Sequence, residues 1–125
     1  MTTQLRSFGN RGESLVVAHL KKQGFVIVAR NYAQRGGEID IIAERRDVRA
    51  FVEVKTRADR YFSLSELITR QKQRKIIATA YQYNATHGWK NNLVHRFDVA
   101  LLVEQNGSHE LTYIPNAFAP GEGHL

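Results

Sequence analysis

Asp40, Glu53 and Lys55 are charged residues set inside two neighbouring apolar runs, Glu38-Ile39-Asp40-Ile41-Ile42 and Phe51-Val52-Glu53-Val54-Lys55. Strands normally keep charge off a buried face, so charges within such runs mark where chemistry could sit. Side chains alternate along a strand, which puts Glu38 and Asp40 on one side of the first run and Ile39 and Ile41 on the other. The same rule gives Phe51, Glu53 and Lys55 a shared face. If the runs pair, two carboxylates and one ammonium group converge, and burying that set without a purpose is costly unless every charge is matched. A hard divalent cation, Mg²⁺ or Mn²⁺, suits it: Asp40 and Glu53 supply oxygens, and the Val54 carbonyl between Glu53 and Lys55 adds a third. Such an ion activates water and polarises a phosphoryl oxygen, while Lys55 orients that water or offsets developing charge. The alternative is structural, with Asp40 or Glu53 in a salt bridge at a sheet edge.

These residues need a frame to hold them. The 125-residue chain has the length of one domain, expected over residues 1–119 with a frayed tail at 120–125. There are no cysteines, which removes disulfides, thiolate zinc sites and cysteine nucleophiles together. The five histidines, His19, His87, His95, His109 and His124, are scattered and show no zinc spacing. Residues 1–11 contain no apolar stretch, and no run approaches the roughly 20 apolar residues of a membrane span. A cytoplasmic, soluble protein is the expectation. Lys and Arg number 18 against 12 for Asp and Glu, a formal charge of +6, which makes nucleic acid the leading partner class.

Asn10 can cap a helix with an apolar stripe at Leu15, Val16, Ala18, His19 and Leu20, stopped by Gly24. Strands are expected at residues 25–32, 38–44 and 50–56, the last two forming a hairpin around the polar turn 45–49. Thr69 caps a second helix with Ile76, Ile77, Ala80 and Tyr81 on one face and Gly88 at its end. An apolar strand over 95–104 and a shorter one over 110–114 complete the order αβββαββ, an α/β fold with a mixed sheet flanked by helices. Asp98, beside Arg96 in an apolar strand, reads as structural. Tyr61, Phe62 and Trp89 could stack on unpaired bases or anchor loops.

Gly37-Glu38-Ile39-Asp40-Ile41-Ile42 followed by Phe51-Val52-Glu53-Val54-Lys55-Thr56-Arg57 resembles the PD-(D/E)xK nuclease signature, with Ile39 where the signature has proline. With Gly12-Glu13, Gln71-Lys72 and Arg96-Phe97-Asp98-Val99, the pattern is similar to the YraN-type family of inferred endonucleases, and more distantly to archaeal Holliday-junction resolvases. The resemblance runs from Gly12 to about residue 114. It implies a restriction-endonuclease-like fold, Mg²⁺ and phosphodiester hydrolysis. It also implies that Glu13 is a further acidic residue of the site, although a carboxylate early in a helix also suits the helix dipole. Gln71 and Lys72, with Arg70 and Arg74 around them, stand in the first turn of a helix, where N–H groups and basic side chains suit a phosphate. Arg57 extends the basic set beside the signature.

The function expected is metal-dependent endonucleolytic cleavage, in DNA before RNA, on branched or repair intermediates. A binding module of the same fold without turnover and an RNA-processing nuclease are the alternatives. A chain this small would grip a long duplex best as a homodimer.

Overall fold

The computed structural model describes residues 2–58, 63–88 and 93–121. Its elements are α1 (Thr2–Lys22), β1 (Val26–Gln34), β2 (Gly37–Arg45), β3 (Val48–Arg57), α2 (Leu64–Leu67), α3 (Arg70–His87), β4 (Val94–Gln105) and β5 (Ser108–Phe118). The strands form one five-stranded sheet in the order β1-β2-β3-β4-β5. Every neighbouring pair is antiparallel except β3 with β4, which run parallel from Val48↔Val94 to Arg57↔Val103.

The sheet has a helix on each face, and the sequence divides its apolar residues to match. Val16 and Leu20, four apart on α1, are buried against Ile41, Ala43, Ala50, Val52, Ala100 and Leu102. On the other face Ile76, Ile77, Ala80 and Tyr83 of α3 pack on Ile42, Phe51, Phe97, Val99 and Leu101. The β4–β5 hairpin closes on Asn106-Gly107, with φ of 53° and 79°, the backbone that a two-residue turn between twisted strands needs. Gly37 serves a different need. A Cβ there would collide with the Thr79 hydroxyl, so only glycine lets β2 approach α3 this closely.

Several expectations change in detail. The order αβββαββ gains a helical turn, α2, whose Ser63 and Glu66 form a reciprocal capping box. Asn10 is no cap, because α1 begins at Thr2. Leu15, expected in the apolar stripe, remains 45% exposed. The last strand spans Ser108–Phe118, not 110–114, passing through Pro115. An edge strand tolerates proline because one side of its backbone has no ladder partner. The alternation expected in β2 also breaks: Ile39 packs on the α3 side with Ile42, whereas Ile41 packs on the α1 side. Residues 37–40 pair with β1 alone, since the β2–β3 ladder starts at Ile41↔Val52. A two-stranded ribbon twists more than a sheet interior, which carries Ile39 round to the α3 layer. Tyr61, Phe62, Trp89 and residues 122–125 of the expected tail lie outside the described residues.

Arg49, expected in the polar turn, is 2% exposed within β3. Its guanidinium donates to Glu44 at 2.9 Å, to the Asn84 side chain at 2.7 Å and to the Gly88 carbonyl at 3.0 Å, tying the end of α3 to the sheet. Arg49→Ala should therefore lower unfolding stability by about 3–5 kcal/mol, because it strands buried polar partners. Urea unfolding measures this; a loss under about 1 kcal/mol would mean that Arg49 is not the anchor.

Candidate active site

The site forms where β2 parts from β3. The last paired residues are Ile41 and Val52, and one further step in that register sets Asp40 opposite Glu53. Beyond that point β3 lacks a backbone partner on the β2 side, and the Asp40 carboxylate takes its place: the Val54 N–H donates to Asp40 Oδ2 at 2.8 Å. Glu53 and Lys55 share the face of Phe51, which belongs to the α3 layer. Lys55 Nζ is 3.5 Å from Glu53 Oε1, with the Glu53 side chain 7% exposed. Sequence reasoning brought these three residues together, and the geometry agrees.

The electrostatics push both carboxyls towards their neutral forms. Burial pushes the Asp40 carboxyl up to about 7, and the charges of Glu53, Glu13 and Glu38 push the same way against the Val54 N–H. Burial also raises Glu53, although Lys55 and Lys72 pull it down. Two lysines thus fail to balance the carboxylates gathered around them. Other buried charges in the molecule are treated differently. Asp98 is fully buried, yet it receives two hydrogen bonds to Oδ2 and Oδ1 from Arg96 Nε, one from Arg96 Nη2, one from the Tyr113 hydroxyl at 2.6 Å and one from the Asn116 N–H at 2.8 Å. This is the structural role expected for Asp98; burial, together with the Asp98 charge and hydrogen bond, raises the Tyr113 hydroxyl pKa against the pull of Arg96. Arg49 is matched just as fully. Among the described residues, the Asp40–Glu53 pair is where the fold leaves buried charge under-compensated.

Hard oxygen donors lacking countercharge fit a hard divalent cation. Among the described residues, no group of three or more His, Cys, Asp or Glu side chains is placed to hold a metal. A centre built here rests on the two carboxylates, with the Val54 carbonyl and water to complete it.

The remaining expected residues surround this pair at different depths. Glu13 is not in a first helical turn, as α1 starts eleven residues earlier at Thr2. It is mid-helix, its side chain 13% exposed and 3.5 Å from Arg30 Nη2, and its charge reaches Asp40. The helix-dipole explanation for Glu13 therefore falls. Gly12 makes the placement possible, since a Cβ there would meet Leu102 at 3.1 Å and Thr56 at 3.5 Å. Thr69 caps α3 as expected, its hydroxyl accepting from the Lys72 N–H at 3.2 Å. Lys72 is half-buried and acts on Glu53, whereas Arg70, Gln71 and Arg74 are exposed on the same turns. Arg57 is exposed at the end of β3, its guanidinium donating to the Thr56 carbonyl at 2.8 Å. Sequence reasoning missed Arg30 as a neighbour of the site, and it set Glu38 on the Asp40 side of its strand without giving it a role. Glu38 could have been given one, since it lies two residues before Asp40; Arg30 could not, because only the β1–β2 pairing brings it near.

Fold and site together define an α/β protein with a mixed five-stranded sheet between helices and a carboxylate–lysine cluster where two strands diverge. A family model described as "Uncharacterised protein family UPF0102" matches residues 12–102, and the chain belongs to that family, the YraN-type family that its motifs resemble. Its relatives include UPF0102 proteins of Chloroflexus aurantiacus, 39% identical over 86% of this chain and 88% of the relative, and of Clostridium botulinum, 40% identical over 90% and 94%. A third, from Desulfosudis oleivorans, is 42% identical over 94% of both chains.

The displaced Asp40 carboxyl makes stability depend on pH. Folding raises it from an ordinary 3.8 to about 7, so the folded state holds a proton that the unfolded state has released. The resulting stability is complete below about pH 4 and is lost as pH rises through about 7, roughly 2–4 kcal/mol in all. Metal-free wild type should thus lose more stability between pH 4.5 and 8 than Asp40→Asn, which keeps only the Glu53 part of the effect. Urea midpoints across that range test this; parallel curves for the two proteins would show that Asp40 is not the strained acid.

Proposed function

We propose that this protein is a metal-dependent endonuclease that hydrolyses phosphodiester bonds, in DNA before RNA, on a restriction-endonuclease-like fold. The observation that supports this most is the under-compensated Asp40–Glu53 pair beside Lys55, where the other buried charges among the described residues, Arg49 and Asp98, each have several partners. Asp40 and Glu53, with the Val54 carbonyl, would hold Mg²⁺ or Mn²⁺. The ion would polarise a phosphoryl oxygen and acidify water there.

The chain's own groups do the rest. Lys55, 22% exposed beside Glu53, orients the attacking water and offsets charge that grows on the phosphorus oxygens. Lys72 and the first turn of α3, with Arg70 and Gln71, receive a strand phosphate. Arg57 and Arg74 extend that cationic track. Glu13, held by Arg30, helps position water on the far side of Asp40.

Mg²⁺ or Mn²⁺ should raise the melting temperature of wild type and not of Asp40→Asn, because a ligand that binds only the folded state stabilises it. Lys55→Ala should bind DNA within a few-fold of wild type and cleave at least ~100-fold more slowly, about 2.7 kcal/mol of barrier. The measurement is single-turnover cleavage on single-strand, duplex, flap and four-way-junction DNA and on RNA, with binding titrated in Ca²⁺. Wild type that cuts nothing in this panel, or Lys55→Ala that cuts as fast as wild type, would leave a nucleic-acid-binding module as the better account.

Affinity itself should fall steeply with salt, because phosphate contacts release counterions. Lys72→Glu should weaken DNA binding and flatten the dependence of log K on log salt by about one or more. A slope unchanged by Lys72→Glu would take the start of α3 out of the interface.

A further inference from the structure

On the α1 face, away from the carboxylates, a cavity of about 340 Å³ is lined by His19, Phe25, Arg45, Arg96, Tyr113 and Pro115 among others. Two guanidiniums meet over one ring there: the Arg45 carbon stands 4.5 Å from the Phe25 centroid and that of Arg96 stands 6.0 Å from it. Both are fixed from behind. Arg96 is clamped through Nε and Nη2 to Asp98, and Arg45 Nη1 donates to the Gln23 carbonyl at 2.7 Å.

The charge around this cavity is not balanced. Asp98 is consumed by Arg96, the Tyr113 hydroxyl and the Asn116 N–H. Among the described residues no carboxylate forms an ion pair with Arg45. Asp98 thus offsets Arg96 and leaves Arg45 as the unmatched charge of the cavity, and a guanidinium held in place presents its remaining N–H groups in a fork that fits phosphate oxygens. The walls suit a nucleotide as well, for the His19 and Tyr113 rings lie 5.4 Å apart at 31°, offering an aromatic surface beside the arginines.

We propose that this cavity binds a phosphate group, carried by a free nucleotide or by a nucleic-acid strand end. Arg45 and Arg96 take the phosphate oxygens, and the His19–Tyr113 pair packs against the sugar or base. The site is separate from the Asp40–Glu53 cluster. Arg45 lies five residues from Asp40, about 17 Å along an extended strand, and faces the α1 layer. The inference therefore stands whether or not the carboxylates cut nucleic acid.

The test is calorimetric titration of wild type, Arg45→Gln and Lys75→Ala with inorganic phosphate, AMP and a 5′-phosphorylated tetranucleotide. Arg45 is only half-buried, so Arg45→Gln should fold, and a melting temperature close to wild type checks that it has. Wild type should bind all three saturably at one site, and Arg45→Gln should bind each at least about tenfold more weakly, as for the loss of one charge-assisted hydrogen bond. Lys75→Ala, which removes an exposed cation of α3 that neither site uses, should bind phosphate and AMP like wild type. Tighter binding of the tetranucleotide than of AMP to this site assigns it to strand ends; equal binding assigns it to free nucleotides. No saturable binding of phosphate or AMP by wild type overturns the proposal, as does an equal loss in Arg45→Gln and Lys75→Ala.

Discussion

The parallel pairing of β3 with β4 constrains almost everything else. Antiparallel neighbours can be joined by a tight turn, but parallel ones require the chain to travel back along the sheet, here as α3. The crossover must begin near the end of β3 that carries Glu53, Lys55 and Arg57, and finish near its start. The first turn of α3, with Arg70, Gln71 and Lys72, is thereby delivered to the carboxylates. Its last turn is delivered to Arg49, which grips Asn84 and Gly88 and keeps the helix in register. One topological requirement supplies both the cations of the site and the anchor that fixes them.

Buried charge in this molecule follows two regimes. Arg49 and Asp98 are each matched by several partners, and such networks hold a core in one arrangement when every member is satisfied. Asp40 and Glu53 are held together with a single ammonium at 3.5 Å and a second lysine acting on Glu53. A stability argument cannot account for that, because burial raises both carboxyls, neighbouring carboxylates add to it, and the sum costs folding energy at neutral pH. Sites that bind charged ligands are where such strain is expected.

The strands were legible because alternation and β-branched runs report burial directly. The pairing of Asp40 with Glu53 could be read from the short turn between their runs. Three features escaped for identifiable reasons. Arg49 has the same side chain as Arg45 and Arg46 just before it, and nothing in residue type separates a buried arginine from more exposed ones. Carrying the alternation of Phe51, Glu53 and Lys55 back two residues would have placed it on the inner face. Glu13 was misplaced because Asn10 mimics a cap inside a helix that begins at Thr2. The arginine cavity joins residues from α1, β2, β4 and β5, so no local pattern could announce it.

The site itself arises from a defect in the sheet. Had β2 continued to pair with β3 back to Gly37, the Val54 N–H would be engaged by backbone and the Asp40 carboxylate would have no donor to hold it. Because the ladder stops at Ile41↔Val52, the backbone offers a donor, Asp40 takes it, and the carboxylate is fixed beside Glu53. Gly37 then allows the freed end of β2 to bend against Thr79 of α3, which a side chain would forbid. The same departure of β2 carries Ile39 into the α3 layer and breaks the alternation that the sequence predicts. An interrupted ladder, a glycine at a close approach and a misfit in hydrophobic phase are thus consequences of one event, the parting of two strands around a pair of carboxylates.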